Sequence, residues 1–219
     1  MKATSIKHND PKQLLNPHDA AWLALTPTKI NLEGTPAAMQ PTDYIRTKWK
    51  DKQFGQTGSV GVAACHTNDT LFFRMEWEDK QKDDVISDND AFPDGVAIML
   101  PVIEGAPMLT MGMEGKPVEI WYWRADDEPG TARQMTAQGW GSTNNFKDSE
   151  VSAKGSWKDG RWTVVISRPL TSQQAGDSVF IEPGKPTQFG VAVWAGSNSE
   201  RAGLKAFSGN WKTLDIESA

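Results

Sequence analysis

Apolar and polar residues alternate with a period of two along most of this chain, the spacing of strands that bury one face. In TLFFRMEW, Leu71, Phe73, Met75 and Trp77 point one way, and Phe72, Arg74 and Glu76 the other. In VEIWYWR, Val118, Ile120 and Tyr122 share a face opposite Glu119, Trp121 and Trp123. Trp162, Val164 and Ile166 align in RWTVVIS, as do Phe189, Val191 and Val193 in QFGVAVW. SVGVAAC, DGVAIMLP and WKTLDI read as further strands, and Asp159-Gly160 between WK and RW is a strong two-residue hairpin signal. A helical period is confined to a turn or two: DPKQLLN, DAAWLAL and a stretch around Thr171–Ala175 are the places where short helices are expected. Polar and Gly/Pro-rich breaks fall at 78–94, 125–131, 141–150 and 196–203, none long enough for an interdomain linker. The pattern predicts an all-β fold, an antiparallel two-sheet β-sandwich with a few short helices, in one domain over 1–219.

Composition narrows the chemistry. A net charge of −5, from 23 basic and 28 acidic residues, comes without a basic stripe, so nucleic acid and anionic membrane are poor partners. The single cysteine, Cys65, excludes an intrachain disulfide, a Cys-rich zinc site, a protein-held iron–sulfur cluster and covalent haem attachment through Cys-x-x-Cys-His. Three histidines leave little for a His-based metal site. No window approaches the ~18 apolar residues of a membrane span, and the first twenty residues hold no apolar run of a secretory leader. Ten tryptophans against two tyrosines is the unusual count; buried, they supply large core areas.

Catalytic motifs are missing: no Gly-x-Ser-x-Gly, no phosphate-binding Walker loop, no His-Glu-x-x-His and no Gly-x-Gly-x-x-Gly after a strand. The acidic stretch DKQKDDVISDND (79–90) lacks the glycine and closing glutamate of a calcium loop and reads as solvated. Cys65 reads as a small buried hydrophobe and His66 as a core or edge histidine. Trp121-Tyr122-Trp123 admits three readings: core packing, a stacking platform for a sugar, or the wall of a flat hydrophobic cofactor. Just before it, Met111 and Met113 stand in a turn whose glycines, 112 and 115, permit close approach of something flat.

TMGMEGKPVEIWYWRAD, followed much later by FGVAVWAGSNSERAGLKAFSGNW, resembles the haem b-binding gamma subunits of ethylbenzene dehydrogenase-like molybdenum enzymes, of the type II dimethyl sulfoxide reductase family. An early Asp19-x-x-Trp22, the strand VAACHTNDTLFFRMEW (62–77) and DGVAIMLP (94–101) fit the same pattern, so the resemblance extends over most of the chain.

The resemblance implies a non-covalent haem b whose iron sits between a methionine and a lysine. Carried over, these are Met111, which begins the Met-Gly pair, and Lys205, which ends the Glu200-Arg201-x-Gly203-x-Lys segment. Met113, on the same side if the segment is extended, competes with Met111; Lys212, in the WKTLDI strand, competes with Lys205, and should Lys205 fail, His66 or Lys212 is the next candidate. Two protein ligands close an iron to substrate, so the implied role is electron transfer without bond-making, in keeping with the missing catalytic motifs. The implied partners are an iron–sulfur beta subunit and a molybdenum-cofactor alpha subunit, in a heterotrimer, and a soluble acceptor such as a cytochrome c. The implied location is the periplasm, reached by export with a signal-bearing partner. The alternative function, of a different class, is a carbohydrate-binding sandwich that stacks sugars on exposed tryptophans.

Overall fold

Strands form where the alternation runs. The computed structural model describes residues 1–40, 42–174 and 176–218. Its early strands are β1 (Lys2–Ser5), β2 (Thr28–Asn31), β3 (Glu33–Gly34), β4 (Ser59–His66), β5 (Thr70–Glu78), β6 (Gly95–Pro101) and β7 (Val118–Arg124). Then come β8 (Arg133–Ala137), β9 (Asn144–Asn145), β10 (Ser152–Lys158), β11 (Arg161–Pro169), β12 (Pro186–Trp194), β13 (Ala206–Phe207) and β14 (Lys212–Ile216). One hydrogen-bonded path, β10-β11-β5-β4-β1-β14-β12-β6-β7-β8-β9, makes both layers of an all-β sandwich. The changeover lies within β12: Pro186–Phe189 pair with β14 in the first sheet, and Gly190–Trp194 pair with β6 in the second.

The pairing is antiparallel except at β1, which runs parallel to both β4 and β14. The alternation did not disclose this strand, which is only four residues long. The Asp159-Gly160 hairpin is present: both residues have positive φ (51° and 74°), the left-handed pair that a two-residue turn needs, and β10 and β11 pair from Lys158↔Arg161 to Ser152↔Ser167.

The inner faces of the two sheets meet in one apolar core. Val62, Phe73, Met75, Val164 and Ile166 of the first sheet face Ile98, Trp121, Val191 and Val193 of the second, and Phe189 packs among them at the changeover in β12. Aromatic edges fit together across the gap: Phe73 to Trp121 at 5.9 Å between ring centres, Trp123 to Trp162 at 5.1 Å. Glu119 points into this core and is fully buried with Arg168, N to O 2.6 Å. The pair is satisfied on all sides. Glu119 also accepts from the Trp121 indole, the Gln134 amide and Val179 N–H, and Arg168 also donates to Val179 O and Pro169 O.

Two short helices fall where the sequence places them, as 3₁₀ turns over Pro11–Leu15 and Ala20–Ala24. Asp10 and Asp19 cap them by accepting from Lys12 N and Ala21 N. The third expected helix does not form over 171–174. The Glu150 carboxylate takes the Gln173 N–H and the Ser172 hydroxyl there, tying the segment to another loop; Ala175 lies outside the described residues. A helix the alternation did not signal, α1 (Asp43–Lys48), is capped by Thr42, whose hydroxyl accepts from Ile45 N. Among the described residues no helix is long and apolar enough to cross a membrane.

Candidate functional site

The outer face of the second sheet is apolar and largely buried. Ala97 and Met99 of β6, Ile120 and Tyr122 of β7, Met135 of β8, and Ala192 and Trp194 of β12 point outward, opposite the core. Above them arch the segment 106–113, the 138–143 turn, residues 35–40 and the turn that leads into β13. Between sheet and loops lies a cavity of about 440 Å³, within the usual size range of small-molecule pockets. Its wall is mostly apolar; five of the eight methionines line it (Met39, Met99, Met108, Met111 and Met135).

Met111 and Lys205 meet there. They are 94 residues apart in sequence, yet Lys205 Nζ lies 3.7 Å from Met111 Sδ. The ammonium also stands 5.2 Å from the ring centre of Trp194, and burial pushes its pKa down to about 8. Neutral amine is therefore closer to hand than for a solvated lysine. A soft thioether and an amine converging on an apolar cavity are a donor set suited to a transition-metal ion held in a flat, hydrophobic cofactor.

Each donor stands on a tight turn. Met111 has φ 55° and Gly112 φ 81°, so two consecutive left-handed residues reverse the chain. Only glycine fits at 112, because a Cβ would come within 2.7 Å of Lys116 O and 2.8 Å of Ala137 O. Lys205 follows a turn closed by Leu204 N–H on Arg201 O. Three side chains hold that turn's carbonyls: Trp194 Nε1 on Ala202 O, Gln40 Nε2 on Gly203 O and Thr35 Oγ1 on Lys205 O.

The reversal at 111–112 separates the competing methionines. The segment is not extended, so Met113 does not follow Met111 into the cavity; it is half exposed and hydrogen-bonded back-to-back with Lys116. Lys212 begins β14 in the first sheet and is not among the cavity's lining residues. His66 is buried in β4 with Nδ1 on Thr67 O, and Cys65 is buried with its thiol pKa pushed up to about 12 by burial.

The remaining motif residues are scaffold. Glu200 accepts from Gly55 N, Gln56 N, Ala195 N and Asn198 Nδ2. The Arg201 guanidinium stacks 4.2 Å from the Phe92 ring centre, and Trp22 donates to Leu14 O. Trp121 and Trp123 belong to the core, and Tyr122 alone of the three lines the cavity. Trp140, half exposed, is the most exposed tryptophan of the described residues. The 79–90 stretch is mainly solvated; Asp79 is the exception, buried beside Asp94. Among the described residues no three His, Cys, Asp or Glu side chains converge to hold a metal.

The sequence profile of a family described as ethylbenzene dehydrogenase matches residues 19–150 and 139–206. The chain is 30% identical over 204 residues, 93% of its length, to a protein named as a respiratory nitrate reductase haem subunit in Haloferax mediterranei, and covers 68% of it. It is 31% identical over 161 residues to the chlorate reductase gamma subunit of Ideonella dechloratans, covering 72% of this chain and 65% of that one. To the dimethylsulfide dehydrogenase gamma subunit of Rhodovulum sulfidophilum it is 27% identical over 203 residues, 90% of this chain and 73% of that one. Among solved structures, a protein of Bacteroides uniformis described as carbohydrate-binding aligns over 99% of this chain and 98% of its own, with a TM-score of 0.60 and 11% identity. That likeness is one of fold.

Proposed function

As this chain belongs to the ethylbenzene dehydrogenase family, we propose that it is the haem b-carrying electron-transfer subunit of a molybdenum and iron–sulfur oxidoreductase complex, in which Met111 and Lys205 would hold the iron. One observation carries this reading: a thioether and an amine 3.7 Å apart in an apolar cavity of about 440 Å³. Relatives named as a haem subunit and as gamma subunits of chlorate reductase and dimethylsulfide dehydrogenase support it.

Bound haem supplies a one-electron couple. The chain's own residues set its surroundings. Lys205 would hold the iron as the neutral amine, and its burial lowers the cost of giving up the proton. Met111 is a soft donor that favours the reduced ion and raises the potential. Ile120, Tyr122, Trp194 and Phe207 line the cavity and would exclude water from the bound group. With Met111 and Lys205 both holding the iron, the group would serve electron transfer and leave no position for substrate. In this reading the electrons move between an iron–sulfur beta subunit and a soluble acceptor such as a cytochrome c, the substrate reacts at a molybdenum-cofactor alpha subunit, and the complex works in the periplasm after export with a signal-bearing partner.

The purified chain is expected to show a low-spin haem spectrum, and acid–acetone is expected to extract the pigment. Met111→Leu should turn the iron high-spin and lower its potential, and Lys205→Met should replace the amine signature. Absence of haem, pigment that stays on the polypeptide, or ligation lost in Met113→Leu but kept in Met111→Leu would overturn the assignment. Co-purification with two larger subunits, and recovery in the osmotic-shock fraction, test the partners and the location.

A further inference from the structure

Both donor-bearing turns contain a non-glycine residue in left-handed backbone, Met111 (φ 55°) and Ala202 (φ 50°). Such a conformation persists only where neighbouring contacts over-determine it. At Ala202 the contact is Trp194 Nε1 on its carbonyl, 3.1 Å, from an indole that is itself buried on β12. At Met111 the contacts come from the 138–142 turn. Gly139 N–H donates to Met111 O at 3.0 Å, and Trp140 Nε1 donates to Leu109 O at 2.9 Å. That turn is fastened in its own right, with Ser142 Oγ bridging Gln138 N and Gly139 O, and Gln138 Oε1 accepting from Gly115 N.

Trp140 differs from Trp194 in burial. Half of its surface is exposed, so core packing does not account for a large aromatic there. What it contributes is one donor, placed two residues before Met111, and a ring at the edge of the cavity.

Resting on the haem reading above, we infer that Trp140 is a positioning residue: its indole N–H clamps the 108–112 turn so that Met111 is presented toward Lys205. Trp140→Phe keeps an aromatic cover and removes the donor. Benzothienylalanine at position 140 keeps the bicyclic shape as well and removes only the N–H.

Two measurements test this. In the cofactor-free chain, amide exchange at Met111 and Gly112, whose N–H groups bond Met108 O and Pro107 O, should quicken on the order of three- to tenfold in both variants, the effect one such hydrogen bond supports. In the haem-loaded chain, imidazole competes with the thioether, so its apparent affinity for ferric iron should tighten by a similar factor. Met111→Leu sets the upper limit of that tightening. Haem content is measured in both Trp140 variants, and the imidazole affinity is read per bound haem. Unchanged exchange and unchanged imidazole affinity would make Trp140 a surface cover and overturn the inference. Quickened exchange in a chain that takes up no haem would instead overturn the ligand reading, and with it the role assigned to the clamp.

Discussion

On the outer face of the first sheet, Ala63, Cys65, Phe72 and Val165 lie beneath Leu14 and Trp22 of the two 3₁₀ turns. On the outer face of the second, Ala97, Met99, Ile120, Tyr122, Ala192 and Trp194 border a cavity of about 440 Å³. Each outer face carries an apolar patch, that of the first sheet lying beside the Arg74–Glu76 pair. What differs is the cover. Residues 11–24 lay two capped turns flat on the first sheet, with the Trp22 indole donating to Leu14 O. Over the second sheet, left-handed turns carry the chain away and back, and Met111 and Lys205 point from them into the space left between. A sandwich of this kind thus gains a binding site through what is laid over an outer face, while its core stays intact.

The largest test of this contrast is Trp22→Ala. The indole is almost wholly buried among Leu14, Ala63, Cys65, Phe72 and Val165, and truncation leaves a cavity there, so stability should fall by about 3–5 kcal/mol. The thermal midpoint, followed by circular dichroism, should drop on the order of 10 °C. Haem content per folded molecule should hold, because the sealed face does not border the cavity. Loss of haem without loss of stability would mean that the two faces are coupled.

Much of the sandwich was legible in the sequence because burial on one face imposes a period of two, and that period locates β4 to β7, β11, β12 and β14. It also separated the two faces of β7 correctly, Glu119, Trp121 and Trp123 from Val118, Ile120 and Tyr122. The parallel insertion of β1 was illegible, since four residues carry no period and pairing direction is a long-range property. The cavity wall was illegible for another reason: Met39, Met99, Met108 and Met135 have no patterned signature, as methionine fills gaps anywhere. The pairing of Met111 with Lys205 came only from resemblance; spacing alone left Met113 equally eligible, and the left-handed pair at 111–112 turns Met113 away from the cavity.

A middle-sized effect is expected in the connection between the two sheets. Asp79 ends the first sheet and Asp94 precedes the second, and Asp94 accepts from Trp162 Nε1, Asp83 N and Gly196 N, the last at the start of the segment that carries Lys205. Burial, with Asp94 and then Asp83 adding repulsion, raises the Asp79 pKa from 3.8 to about 7, and burial also raises that of Asp94. A carboxyl whose pKa is raised on folding contributes stability below its unfolded pKa and loses it as pH climbs to the folded one. The wild type should therefore lose stability between about pH 4 and pH 7. Asp79→Asn removes the charge and offers Asp94 a donor, so its midpoint should exceed the wild-type value by several degrees at pH 8 and converge with it toward pH 4. A constant offset across that range would assign the effect to packing.

The smallest effect sharpens the contrast from the open side. Met135 is partly buried on β8 and lines the cavity with Met99 and Met108, so sulfur is not scarce around the proposed haem. Met111 is distinguished from these by its backbone and by the contact of its sulfur with Lys205 Nζ. Met135 packs against the outer face as a space-filler. Met135→Leu conserves volume and should cost less than about 1.5 kcal/mol, far less than truncation on the sealed side, and the low-spin spectrum and the potential should stay where they are in the wild type. Differential thermal melts and a redox titration of the haem-loaded protein check both parts. If Met135→Leu instead shifts the potential as Met111→Leu is expected to, the cavity's methionines are interchangeable as ligands, and the turn at 111–112 does not select among them.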